Sequence, residues 1–455
     1  GALSPLIASA QYRAARAVFD PLLSAEFRYD RKQTPSVFGF FGQNVTTDRT
    51  LGGSAGVNQF LSTGGTVSFL YRADRISTDQ TIALINPAWS NRLVVEGAQP
   101  LLRGAGDIVM ADIRLAHNQV VGAREDQRAL REQTLVEVVQ AYWDLARAQE
   151  ILIARRKSEE AADRLYRNAK ARLEAKMGTP LDVAEARAGP GPRRGDRTLQ
   201  EGARAARQDV LGTLIMPFAL RDNRGIRFVA VDDVETARIV SPDLDQMDRY
   251  VKLALENRPE MKSAEAGLAS RRIDVVSAAN GVLPQVDLVG SIGTAAVETG
   301  LSDSLSSMLT GQGVSAGIGV RFSMFVGQRA ARSRLRLTEW ARRQSVIQYK
   351  DLANQVIAQV RAGVRDVITA QAVLETAKAG VVAAKANLEG EVQKLLQGRS
   401  TPFDVLLKEE TVTDARLTLA TAAVAVRNAE ARFWRAVGML GQKLGLGGGF
   451  GGRRK

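Results

Sequence analysis

The strongest constraint on this chain is that it is written twice. Lys176-Met177-Gly178-Thr179-Pro180-Leu181-Asp182-Val183 returns as Gln397-Gly398-Arg399-Ser400-Thr401-Pro402-Phe403-Asp404-Val405. The motif aspartates stand 222 positions apart (182 to 404), each between two long Ala-rich stretches. Upstream, Ala14-Ala15-Arg16-Ala17-Val18-Phe19-Asp20-Pro21 leads into an alternating strand pattern, and so does Ser277-Ala278-Ala279-Asn280-Gly281-Val282-Leu283-Pro284. A period this long marks one structural unit duplicated, not a solenoid of roughly 20–50-residue modules.

Within each copy the hydrophobic period changes from two to about 3.6. Leu23, Ala25, Phe27 and Tyr29 alternate with Ser24, Glu26, Arg28 and Asp30. Val314, Ala316, Ile318, Val320 and Phe322 alternate with Ser315, Gly317, Gly319, Arg321 and Ser323. Strands apolar on one face and small or charged on the other suit a soluble sandwich or a membrane barrel wall. Immense helices attached to few strands favour the barrel. Residues 107–176 and 328–401 contain no proline. About 70 helical residues span ~105 Å at 1.5 Å each, so each must pack lengthwise as a coiled coil. Gly178 to Pro180 and Gly398 to Pro402 read as a helix end followed by a Thr-Pro restart, making each copy a helical hairpin.

The copies are imperfect. Pro21 precedes Asp182 by 161 residues, but Pro284 precedes Asp404 by only 120. The 41 extra residues, mostly within 51–90, predict an added β-hairpin in the first copy, with Val67, Phe69, Tyr71 and Ala73 on one of its strands. The second copy has a helical pattern from Asp245, some 39 residues before Pro284, whereas 20 residues precede Pro21, so the first copy reads as N-terminally incomplete, with no signal peptide visible. Gly189-Pro190-Gly191-Pro192-Arg193-Arg194-Gly195 interrupts a helix that is continuous in the second copy. A hinge, a basic contact patch, a tolerated break and a slip in the reading frame all fit it. Between the copies, Ile226 to Val231 is a short strand candidate.

Composition excludes several classes. The chain has no cysteine and one histidine, so disulfides, thiolate chemistry and a histidine-cluster metal site are out of reach. His117 is expected to be a bystander, and neither a catalytic residue, a cofactor site nor an enzyme is expected. The net charge of +13 arises from 62 basic and 49 acidic residues interleaved along helices. That is the pattern of solvated faces rather than of a nucleic-acid interface. No run approaches about 18 consecutive apolar residues, so no transmembrane helix is expected; a closed barrel needs only about 10 alternating residues per strand.

Further motifs complete the pattern: Gln99-Pro100-Leu101-Leu102-Arg103-Gly104 where strand gives way to helix, Ala141-Tyr142-Trp143-Asp144-Leu145 in the helix after it, Asn257-Arg258-Pro259-Glu260, and Leu283-Pro284 before a strand. With the two tips and in this order, the chain resembles the TolC family of outer-membrane efflux and secretion channels over about residues 1–440.

The resemblance implies an α+β membrane protein. Two tandem repeats would give strands to a shared trimeric outer-membrane β-barrel and long helical hairpins to a periplasmic α-barrel. The expected layout is 1–216 for the first repeat (strands about 21–102, helices about 105–216), 217–244 as connector, 245–440 for the second repeat (strands about 284–325, helices about 328–438), and 441–455 as a flexible Gly-rich tail. Four strands per chain would make twelve in a trimer, and the extra hairpin either raises that count or extends outside the membrane. The implied partners are two further copies, outer-membrane lipid, a periplasmic adaptor (membrane fusion) protein and an inner-membrane transporter. Adaptor contact maps onto Gly178, Thr179, Pro180, Gly398, Arg399, Ser400 and Thr401. Asp404 matches the first aspartate of the family's Asp-Val-Leu-Asp gate pattern, while Leu407 takes the place of the second, so a single acidic ring is implied. Asp182 and Asp404 also suit a second reading, as charges favouring a helix N-terminus. The competing function is a soluble coiled-coil scaffold without a pore.

Overall fold

The computed structural model describes residues 3–35, 45–80, 82–216, 227–232 and 242–446. In chain order its helices are α1 (Ser4–Arg16), α2 (Ala111–Glu174), α3 (Pro180–Arg187), α4 (Pro190–Ile215), α5 (Met247–Asn257), α6 (Pro259–Asn280), α7 (Leu301–Leu309), α8 (Arg329–Leu396), α9 (Pro402–Val437) and α10 (Leu440–Lys443). The strands are β1 (Leu22–Pro35), β2 (Val45–Phe60), β3 (Thr66–Thr78), β4 (Ala88–Pro100), β5 (Gln285–Glu298) and β6 (Val314–Ser323). Two compact units result, Gly1–Arg124 with Ser263–Gln348, and Glu125–Lys262 with Tyr349–Lys455.

The first unit holds all six strands in one antiparallel sheet, ordered β1-β2-β3-β4-β5-β6. Four come from the first copy and two from the second. The extra hairpin is β2–β3, and it does not stand apart from the sheet. Leu22 pairs with Asn58 and Pro35 with Val45, while Thr66 pairs with Ala98 and Ile76 with Ala88, so its strands are zipped to β1 and β4. The hairpin turns at Leu61-Ser62-Thr63-Gly64-Gly65, beside the junction where β4 gives way to helix. Gly64 has φ 90° and packs against Gly104 and Val109. Gln99 clamps the turn: Thr63 Oγ1 donates to its Oε1 (2.7 Å), and its Nε2 donates to Thr63 O (3.0 Å). Asn280 at the end of α6 accepts from Gly104 N (2.9 Å), joining the first copy's strand-to-helix junction to the second copy's helix-to-strand junction.

The second unit is packed helices. α2 and α8, of 64 and 68 residues, would each reach about 100 Å at 1.5 Å per residue. Leu374, Ala377 and Val381 of α8 bury against Leu419, Ala422, Ala423 and Val426 of α9, with Ala146 of α2. Small residues let the backbones close in. A Cβ on Gly363 would lie 3.3 Å from Phe433 Cα, and Phe433 is only 1 % exposed. One 18-residue window of α8 has a mean hydropathy of 1.3, which by length and composition could cross a membrane, beyond what a count of consecutive apolar residues suggests. Its buried Val356, Val360, Val364 and Val367 belong instead to clusters with α5 and α9.

Three sequence expectations change. Residues 227–231 form no strand; they have no regular structure and are held to α2 by Gln149 Oε1 accepting from Ala230 N (2.8 Å) and by Tyr142 Oη donating to the Asp232 carboxylate. Without a partner strand, this segment takes its bonds from α2 side chains. Ile226 and most of the 217–244 connector lie outside the described residues. The tail is not all loose either, because α10 continues to Lys443 with Leu440 2 % exposed, and 447–455 lie outside the described residues. Finally, the interruption at 189–195 is confined to one joint. α3 stops at Arg187 and α4 restarts with Pro190 as its first residue. Pro192 then falls in the first turn, where backbone N–H groups have no intrahelical partner to lose. Arg193 is no free basic patch: it bonds Ser158 Oγ (3.1 Å) and pairs with Glu410 (3.5 Å), while Arg194 and Arg197 both pair with Glu159.

Candidate functional site: helical turnarounds and strand wall

The two turnarounds are built on the same bonds. In the second, Arg399 N donates to Lys394 O (2.8 Å) and Gly398 N to Leu395 O (3.1 Å). In the first, Met177 N donates to Arg172 O (2.8 Å) and Lys176 N to Leu173 O (2.9 Å). This paired closure puts one residue in the left-handed region: Gly398 at φ 71° and Lys176 at φ 60°. The helix end expected at Gly178 is therefore set two residues earlier, by a lysine. The bond pattern, not glycine identity, decides where the helix closes. Gly178 still needs to be small, since a Cβ there would sit 3.3 Å from Arg172 Cβ.

Each new helix then starts with a capping box. Thr179 N donates to Asp182 Oδ2 (2.8 Å) and Asp182 N donates to Thr179 Oγ1 (3.2 Å). Thr401 N donates to Asp404 Oδ2 (3.1 Å), Asp404 N to Thr401 Oγ1 (3.2 Å), and the Thr401 hydroxyl also donates to Asp404 Oδ2 (2.7 Å). Bonds donated by the Thr179 backbone and hydroxyl hold the Asp182 carboxyl below its ordinary range. The Thr401 side chain and backbone do the same for Asp404. Both aspartates thus serve the helix-start role, and both are anionic at neutral pH.

The second turnaround has a further acidic group that motif matching does not reveal. Glu391, on α8, accepts from Ser400 Oγ (2.6 Å) and pairs with Lys394 Nζ (3.0 Å), and the Ser400 and Lys394 bonds lower its pKa. Its spacing of nine residues from Ser400 crosses the turn, so no helical periodicity flags it. The turnaround surfaces are apolar as well as charged: Met177, Leu181, Leu396, Phe403 and Leu407 are each at least half exposed. His117, away from these turns in sequence, packs edge-on against Tyr12 at 5.7 Å.

The register sorts the sheet into two faces. Leu23, Phe27 and Tyr29 of β1 share a face with Leu51 and Val57 of β2, Phe69 and Tyr71 of β3, Leu93 and Val95 of β4, Ile292 of β5, and Ile318 and Phe322 of β6. The opposite face carries Glu26, Arg28, Ser54, Arg72, Asp74, Glu96, Ser291 and Arg321. Phe27 is 78 % and Ile318 82 % exposed, so within one chain most of the apolar face is uncovered. α7 rests on one end of it, where Ser304 Oγ donates to Ala296 O (2.9 Å) and Asn91 Nδ2 to Leu301 O (3.4 Å).

The other motifs hold structure together. Trp143 stacks edge-on with Tyr142 (5.3 Å) and lies beneath the Arg427 guanidinium (5.5 Å). Arg258, 5 % exposed, bonds Gln359 Oε1 (2.6 Å) and pairs with Glu260 (3.3 Å). Burial pushes the Glu260 carboxyl up, but the Arg258 charge, with hydrogen bonds from Arg258 and the Glu260 backbone and the charge of Arg435, together make the net shift downward. Among the described residues no cluster of His, Asp or Glu could hold a metal ion.

Residues 250–439 match the family described as outer membrane efflux protein. The outer membrane efflux protein BepC of Brucella suis is 24 % identical over 338 residues, covering 74 % of this chain and 70 % of BepC. The outer membrane protein VceC of Vibrio cholerae has the same fold, with a TM-score of 0.65 at 16 % identity over 96 % of this chain and 91 % of that one. So does the MtrE outer membrane channel of Neisseria gonorrhoeae in its open state, with a TM-score of 0.66 at 16 % identity over 96 % and 84 %. The second copy thus matches the outer membrane efflux protein family, and the chain as a whole shares its fold with solved outer membrane channels.

Proposed function

We propose that the protein is the exit duct of a tripartite efflux pump or type I secretion system, a homotrimer in the outer membrane whose helices continue into the periplasm. The observation that carries this is the strand wall. Its mainly apolar face runs across six strands and is mostly uncovered, and among the described residues its outer strands β1 and β6 each have one unpaired edge. A soluble scaffold exposing both would aggregate. In lipid the apolar face is satisfied, and closure with further copies pairs the edges.

The turnarounds form the entrance that an adaptor protein and an inner-membrane pump engage. Gly178, Thr179, Pro180, Gly398, Arg399, Ser400 and Thr401 shape the adaptor contact, and the exposed Leu181 and Phe403 give it apolar footing. Asp404, with Asp182, supplies carboxylates at the gate. On a threefold axis three such charges repel one another and attract cations.

Single-channel recording in a planar bilayer tests the reading. Discrete conductance steps are expected, enlarged when Asp404 is changed to Ala. Absence of conductance from both the native protein and D404A, with full solubility in the absence of detergent, would establish the scaffold instead.

A further inference from the structure

The register of the extra hairpin bears on the width of the membrane pore. Strands of 16 and 13 residues exceed the roughly 9–11 that a tilted strand needs to cross the hydrocarbon layer. The hairpin's turn lies at the end where strands become helices, locked by Gln99. At its other ends nine residues of sequence separate β1 from β2 and nine separate β3 from β4, against five in the turn at 61–65. Short turns on the periplasmic side and longer loops outside are the habit of outer-membrane barrels. The faces agree too. Val57 and Phe69 stand level with Leu23 and Val95, and Leu51 with Tyr29, so the hairpin carries apolar residues at the heights of its neighbours' band, with Arg75 of β3 in the row of Leu51 and Trp89. A loop projecting into water has no reason to keep that band.

We infer that β2 and β3 are full members of the membrane wall, so that three copies close an eighteen-stranded barrel rather than the twelve-stranded one that four strands per copy would give. This rests on the trimeric-duct reading above. The parity is right: with six antiparallel strands, β6 of one copy runs opposite to β1 of the next, and the closed ring has no edge. Diameter grows roughly linearly with strand number, making the barrel about 1.5 times as wide as a twelve-stranded one. Two pairs of its water-facing charges close on one another, Arg28 with Asp30 and Arg72 with Asp74. The added width suits bulky cargo.

The chain lacks cysteine, so single cysteines are unambiguous reporters in the full protein reconstituted into liposomes. Val57→Cys and Phe69→Cys probe the apolar face of the hairpin, Asn58→Cys and Ser68→Cys the polar face. A membrane-impermeant maleimide is expected to label the polar pair at least tenfold faster than the apolar pair, and native mass spectrometry to count three copies. Equal, rapid labelling of all four puts the hairpin outside the bilayer and overturns the inference. So does a two-copy assembly, which would close with twelve strands. Channel failure is read separately, as absence of conductance from the unmodified protein; alternating labelling in a conducting trimer supports both.

Discussion

Lys176 shows how much a single backbone angle can carry. It occupies the left-handed position that Gly398 fills in the other copy, and a side chain there costs about 1 kcal/mol or more relative to glycine. Lys176→Gly is expected to stabilise the first turnaround by up to about 1 kcal/mol, seen as slower amide exchange around 172–178; Gly398→Ala should do the reverse at the second. The caps respond to acid. The folded pKa values of Asp182 and Asp404 lie below their unfolded values. Their capping contribution is thus complete above the ordinary aspartate range, near 3.9, and is lost as pH falls through the lower folded value. Acidification is expected to fray residues 179–183 and 401–405 before the core, and D182N with D404N should remove most of that pH dependence. Amide exchange across pH 2–6 checks both. Thr401→Ala should cost the cap about 1 kcal/mol.

Among the elements, α9 is where the helical unit is most tightly specified. Phe433 fills the space among Val364, Val367 and Val437 and meets Tyr250 edge-on at 5.1 Å. Phe433→Ala is expected to lose about 3–5 kcal/mol, read by urea denaturation in detergent. Gly363→Leu should also be severe, because it forces α8 away from α9. Arg258 joins α5, α6 and α8 through Glu260 and Gln359. Arg258→Met leaves a half-buried Glu260 unpaired, so its pKa should rise above the ordinary glutamate value, which carboxyl-resolved titration would detect. The hinge suggested by prolines 190 and 192 is instead a helix restart pinned by Arg193. Sequence counts prolines but does not show which fall in a first turn.

For the whole molecule, the duplication made the architecture legible: two copies, strands then long helices, and a turn in each hairpin. The extra hairpin was legible too, because a 41-residue excess with alternating apolar positions has few other readings. Its destination was not. Alternation is the same for a strand in the wall and a strand beyond it, and only pairing distinguishes them.

What the sequence by itself determined is therefore what depends on local pattern: the period of each segment, the Thr-Pro restarts, and the choice of chemistry excluded by having no cysteine and one histidine. What only the tertiary structure decided are the contacts made across long separations. Ser400 reaches Glu391, Gln99 clamps the turn at Thr63, Asn280 joins Gly104, and β2–β3 enters the sheet between β1 and β4. The physical reason is the same in each case: a hydrogen bond or strand pair depends on where two segments meet, and periodicity records only the environment of one.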